Sequence, residues 1–151
     1  KSESYIINER AKFWLAECLY RLKKHKESLT KFNSLKESIT ENHPDFNLID
    51  YNIGYNNFKL KAYKEASIAF KNFLQKDSID NSIKDDAIIR LGDSYFAIKN
   101  YKEAIKSYQK VVTKSGESAD YAQYQIGLIF GFTGDNNAKI TALTNVVNNF
   151  S

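Results

Sequence analysis

The feature that most constrains this chain is that it repeats itself every 38 residues. Lys23-Lys24-His25-Lys26-Glu27-Ser28, Lys61-Ala62-Tyr63-Lys64-Glu65-Ala66 and Lys99-Asn100-Tyr101-Lys102-Glu103-Ala104 stand in phase. Upstream of each block an aliphatic residue precedes a small one, at Leu15-Ala16, Ile53-Gly54 and Leu91-Gly92; downstream stand Phe32, Phe70 and Tyr108. A fourth, degraded copy carries Ile126-Gly127, Phe130, Ile140, Leu143 and Val146, arrives 35 residues after its predecessor, and has Lys139 where a small residue is expected. A period of this length marks a supersecondary unit that cannot bury its apolar face alone and must stack on its neighbours.

Each unit reads as two helices. First helices are expected near 4–22, 46–60, 82–98 and 118–133, and second helices near 25–38, 63–76, 101–114 and 136–150. The repeats then span about 4–40, 45–78, 82–115 and 118–150 of a single domain, residues 1–151. One proline and six glycines leave little material for a turn-rich β fold, so the chain is expected to be all-α. Asp45, Ser82 with Asp85 three residues on, and Ser118 are candidate helix starts, and Gly116 a stop. Gly54, Gly92 and Gly127 each sacrifice about 1 kcal/mol of helix propensity, which close helix packing explains; Ala66 and Ala104 on the second helices fit the same account.

These residues resemble the tetratricopeptide repeat (TPR) family, whose pattern sets a small residue and an aromatic in the first helix, then an alanine and an aromatic in the second. Gly92, Tyr95, Ala104 and Tyr108 follow it fully; Gly54, Ala66 and Phe70 follow it with Asn57 in the place of Tyr95. No tryptophan opens the first helices, most second helices lack a following proline, and the period exceeds the family's usual ~34 residues. The resemblance implies a right-handed superhelical solenoid of about four helix-turn-helix repeats that serves as a protein-interaction scaffold and is not an enzyme. The extra residues fall between repeats, from Thr40 to Asp45 and from Asp77 to Asn81, and such linkers resemble those of bacterial envelope TPR proteins of the Tol-Pal and outer-membrane-assembly type. That comparison implies a periplasmic or envelope-associated setting. The single cysteine, Cys18, leaves a reducing cytosol equally open.

Along the third first helix, Ala87, Leu91, Gly92 and Tyr95 form one face that buries against the second helix. A second stripe, Ile89, Asp93 and Phe96, lies on the side that TPR arrays turn toward their concave groove. It recurs as Phe13, Glu17 and Tyr20, as Tyr51, Tyr55 and Phe58, and as Tyr124 and Leu128 with Tyr121 before them. One face suffices to close a hairpin. The second therefore either packs on the neighbouring repeat or receives a peptide or helix of a partner, for which tyrosine and phenylalanine offer large contact area at low entropic cost. Groove lysines and asparagines of the kind TPR cochaperones use to grip a C-terminal carboxylate are replaced here by Phe13, Glu17, Tyr51 and Tyr55.

The other function classes find little support. The net charge of +4 is mixed along the chain, and Lys61, Lys64, Lys99 and Lys102 alternate with glutamates as on a solvated face, so no nucleic-acid partner is expected. His25 and His43 sit in different repeats, no nucleophile motif or phosphate loop is present, and neither cofactor nor metal is expected. No apolar run is long enough to cross a membrane. With no methionine, position 1 included, the residues are expected to be a segment of a longer protein. Ile140, Leu143 and Val147 on the last helix form an open end, whose covering by further chain or by a second copy would make the segment structural or self-associating.

Overall fold

A computed structural model describes residues 3–41, 43, 45–77, 79–113 and 117–149. Among them the regular elements are helices: α1 (Glu3–Arg21), α2 (His25–Ser38), α3 (Phe46–Lys59), α4 (Tyr63–Leu74), α5 (Asn81–Ala97), α6 (Tyr101–Val112), α7 (Glu117–Thr133) and α8 (Asn136–Asn149). Each expected hairpin is present, with ends within two residues of expectation. The chain forms two compact units, Lys1–Ile79 and Asp80–Ser151, each built of two hairpins. In the first unit α1 packs on α2, α2 on α3 and α3 on α4; in the second, α5 packs on α6, α6 on α7 and α7 on α8.

The hairpin turns are made by lysine. Lys23, Lys61 and Lys99 each adopt φ 61°, the left-handed conformation that glycine takes at lower cost, and Gly134 (φ 83°) fills the fourth turn. After each of the first three first helices, a backbone N–H bonds five residues back, as Lys24 to Leu19, Ala62 to Asn57 and Asn100 to Tyr95. This closure satisfies terminal carbonyls that would otherwise lack a donor. A left-handed residue with a Cβ costs roughly 1–2 kcal/mol. The in-phase lysines therefore mark a turn geometry that the packing of the hairpin imposes.

Packing also explains the mid-helix glycines. A Cβ added to Gly54 would lie 2.7 Å from Cε1 of Phe70, and one added to Gly92 would lie 2.6 Å from Cε1 of Tyr108. The two glycines thus occupy equivalent contacts. What faces them is an aromatic ring of the second helix, while Ala66 and Ala104 are separately fully buried. Gly127 meets Leu143 in the same register. In the first repeat Ser28 stands in the alanine position, is fully buried, and donates its hydroxyl to the carbonyl of Ala16 at 2.8 Å.

Several helix starts differ from expectation. Asp80, not Ser82, caps α5, its carboxylate accepting the Ser82 N–H at 2.9 Å, because the helix begins at Asn81. Ser118 lies inside α7, which begins at Glu117. Asp45 does precede α3 but makes no side-chain capping bond; its N–H donates to Nδ1 of His43 at 3.2 Å. The proposed stop at Gly116 lies outside the described residues.

Candidate partner-binding face

In the first unit the groove stripe becomes a chain of aromatic contacts. Tyr20 meets Tyr55 edge-on with centroids 6.2 Å apart, Tyr55 meets Tyr51 at 5.0 Å, and Tyr51 reaches Phe73 at 5.1 Å. Helical geometry contributes to this: Tyr51 and Tyr55 are four residues apart on α3, and Tyr20, the counterpart of Phe58 in the repeat register, comes from α1. Phe70 and Phe73 beneath them are fully buried, whereas Tyr20, Tyr51 and Tyr55 remain half-buried. Phe58 is half-buried as well and turns aside to stack edge-on with Tyr63 at 5.3 Å. The core is thus already filled by the second helix, and the tyrosines form an outer layer on it.

Not every residue of the stripe presents itself. Phe13 is 3% exposed and belongs to the core of the first unit, edge-on to Phe32 at 5.4 Å; Ile89, at 6%, is likewise buried. Neither offers surface to a ligand, so both leave the groove set. Glu17 is half-buried and pairs with Arg21 at 3.2 Å.

In the second unit the corresponding face is polar at its centre. Asp93 is 9% exposed; its Oδ1 accepts hydroxyls from Tyr108 at 2.8 Å and Tyr121 at 3.0 Å, while its Oδ2 accepts from Arg90 at 2.8 Å. Three donors satisfy the oxygens of this buried carboxylate. The hydroxyls respond in turn. Burial, then the Asp93 charge and hydrogen bond, push the Tyr121 phenol up to about 12 and raise that of Tyr108 further. Tyr124 is exposed, and Phe96 lies between Tyr101 at 5.9 Å and the exposed Phe132 at 5.8 Å. Asp86, Ile89, Arg90, Ser118 and Tyr121 border a shallow recess beside this network.

Sequence reading missed the ionic groups behind these faces. Asp50 is 3% exposed and bridges Lys36 at 2.6 Å and Lys76 at 2.9 Å, tying α2 and the segment after α4 to α3. Glu9, also buried, receives Lys12 at 2.9 Å and Ser38 at 3.0 Å. Burial raises its carboxyl, and those hydrogen bonds with the charges of Lys12 and His43 outweigh the burial and leave it below the usual glutamate range. An aspartate in a 38-residue register that otherwise holds Lys12 and Ile88 was the available signal for Asp50. Among the described residues no group of three or more His, Cys, Asp or Glu is placed to hold a metal ion, and no helix is long and apolar enough to cross a membrane.

Helical hairpins in tandem, closed by a glycine against an aromatic ring and lined on the first-helix side by a second apolar stripe, define a protein of the α-helical repeat class. Residues 10–38 and 86–118 match the tetratricopeptide repeat family model. None of the curated proteins compared with it matches. Among solved structures it is similar to a double mutant of MamA RS-1, with TM-score 0.76 at 18% identity over 93% of this chain and 74% of that one. It is also similar to a Podosopora anserina kinesin light chain with nearly identical TPR-like repeats, with TM-score 0.72 at 15% identity over 95% and 74%. At such identities the likeness establishes the all-helical repeat fold alone.

Proposed function

We propose that the chain is an interaction module that holds a peptide or helical segment of a protein partner on the first-helix face, the face TPR arrays turn to their groove. TPR hairpins generally mediate protein–protein contacts and typically serve as scaffolds without catalysis. The observation that carries the finer reading is the half-exposed layer of Tyr20, Tyr51 and Tyr55 over a core that Phe70 and Phe73 already close. Rigid amphipathic rings held edge-to-face are what a peptide's apolar side chains bind. The second unit carries exposed tyrosines of its own, Tyr121 and Tyr124, beside the Asp93 carboxylate, an arrangement that favours partner residues that hydrogen-bond. The envelope setting is part of this reading and rests on the long linkers between hairpins.

The test is a panel of peptides selected from a random display library against the intact chain. Tyr51→Ser with Tyr55→Ser is expected to weaken the selected peptides at least tenfold by calorimetry, an effect of hot-spot size, while helicity by circular dichroism is kept. Unchanged affinity in a folded double variant removes this face as the site.

A further inference from the structure

The repeat register singles out Asn57. Its counterparts in the other repeats are Leu19, Tyr95 and Phe130, large and mainly apolar side chains that are half-buried, yet Asn57 is the most buried of the four, at 8% exposure. Its carboxamide makes no hydrogen bond among the described residues. An asparagine carries one acceptor oxygen and two donor hydrogens, and burying them without partners costs stability that a leucine in the same place would not. Nothing in the hairpin offsets that cost, so the bonding capacity of Asn57 is left for a group from outside it.

What Asn57 faces is a groove of about 310 Å³ between the second helices α2 and α4, with α3 as its floor. The groove involves neither the first nor the last helix, and its volume is at the small end of the ~300–1,000 Å³ usual for ligand sites. Asn33 on α2 and Asn72 on α4 line its two sides, exposed and likewise without a side-chain hydrogen bond among the described residues. Its apolar lining is Leu29, Ile53, Ile68 and Ala69, of which Ile68 is 54% exposed. Lys36 is held by Asp50 at 2.6 Å, whereas Glu65 is exposed and forms no ion pair among the described residues. In the second unit Gln109 and Asn145 stand in the register of Asn33 and Asn72, but Phe130 takes the place of Asn57, so the free buried amide belongs to the first unit.

These groups match one kind of occupant. A peptide unit presents an N–H and a C=O, the complement of a carboxamide, and three carboxamides around an apolar lining fit a short extended strand with apolar side chains. The unpaired Glu65 adds a preference for a basic side chain. A sugar or nucleobase would find no aromatic face to stack on among the lining residues, and a phosphate no free cation, the lysine being engaged by Asp50. We infer that the α2–α4 groove binds a short extended peptide segment, basic at one position and apolar beside it, through the carboxamides of Asn33, Asn57 and Asn72, at a site separate from the first-helix tyrosines.

The probe is a pool of blocked pentapeptides with lysine at the centre and isoleucine, leucine, valine or alanine elsewhere, titrated into the intact isotope-labelled chain. The side-chain amide signals of Asn33, Asn57 and Asn72 are expected to shift together and saturate, and a pool N-methylated at every backbone amide is expected to leave them in place. Asn57→Leu removes an unbonded carboxamide at nearly constant volume, so its melting temperature is expected to hold or rise while the pool binds about tenfold more weakly. Glu65→Lys, at an exposed position, is expected to favour a pool with glutamate at the centre over the lysine pool. Amide signals that do not move with the lysine pool, equal shifts from the N-methylated pool, an Asn57→Leu chain that binds as tightly as wild type, or a Glu65→Lys chain that keeps the lysine preference would each overturn the inference. Ring signals of Tyr51 and Tyr55, read in the same titrations, report the first-helix face separately, so failure of one site is distinguishable from failure of the other.

Discussion

The second and third hairpins place different chemistry on the same backbone positions. In α3–α4, Tyr55 meets Phe70 edge-on at 5.5 Å; 38 residues later, Asp93 accepts the hydroxyl of Tyr108 at 2.8 Å. Both rings press on a glycine, Gly54 or Gly92, at nearly the same approach. The comparison separates two roles within a repeat. Glycine against ring fixes the distance between helices, while the residue one place after the glycine is free to make that ring an apolar floor or the donor to a buried charge. The first unit thereby offers a tyrosine surface, and the second a surface organised around Asp93 and Arg90.

The contrast is broken most strongly by Asp93→Ala. It removes the acceptor of two tyrosine hydroxyls and the partner of Arg90, and the expected loss is about 3 kcal/mol in urea unfolding, against about 1 kcal/mol for Tyr55→Ala, which truncates a half-buried ring. Gly92→Ala pushes a methyl into a Tyr108 ring that has no free space to yield; overpacking outweighs the gain in helix propensity and leaves a net cost of about 1–2 kcal/mol by the same assay. Phe70→Tyr, which imports the third hairpin's phenol into the second, is expected to cost about 1–2 kcal/mol because the buried hydroxyl finds no carboxylate. Adding Tyr55→Asp supplies one. A double-mutant cycle should return a favourable coupling of about 1 kcal/mol, and a coupling of zero would mean that the two hairpins are not interchangeable frames.

Alkaline pH distinguishes the units without mutation. A neutral phenol whose folded pKa lies above its unfolded value of about 10 contributes stability that is complete below that value and is lost as pH rises through the folded pKa. Tyr108 and Tyr121, both raised, therefore make the second unit lose stability from about pH 10 upward. Tyrosinate absorbance should show Tyr121 titrating near 12, and Asp93→Asn should bring that transition down. At the opposite end Glu9, with its pKa lowered, stabilises the first unit above the ordinary glutamate range and releases that contribution as pH falls through its folded value. The smallest expected effect is a gain: Lys99→Gly relieves a left-handed lysine and should raise stability by about 1 kcal/mol, within the reach of thermal melts.

The helical hairpins, their order and nearly all their ends were readable because a 38-residue rhythm repeats each local signal three times, so no single propensity had to be trusted. The close approach at Gly54 and Gly92 was readable in the same way, but the facing group was taken to be Ala66 or Ala104, whereas the aromatic residue sixteen positions on meets each glycine. What was not legible was anything that departs from the repeat. Asp50 with its two lysines and Glu9 with Lys12 and Ser38 join residues whose counterparts in other repeats are of other types. The helix cap at Asp80 was missed because a serine two residues on offered an equally good local pattern. Groove membership failed at Phe13 and Ile89 because helical spacing gives a direction, and their neighbours fill that direction.

The central claim is that the first-helix tyrosines, rather than the lysine-rich second helices, meet the partner. Its most direct test is amide and aromatic chemical-shift mapping of the chain with a display-selected peptide bound. The account predicts that the largest perturbations gather on Tyr20, Tyr51 and Tyr55, with a lesser set at Tyr121 and Tyr124. Perturbations concentrated instead on Lys64, Lys71, Lys102 and Lys106, with the tyrosine signals unmoved, would contradict it.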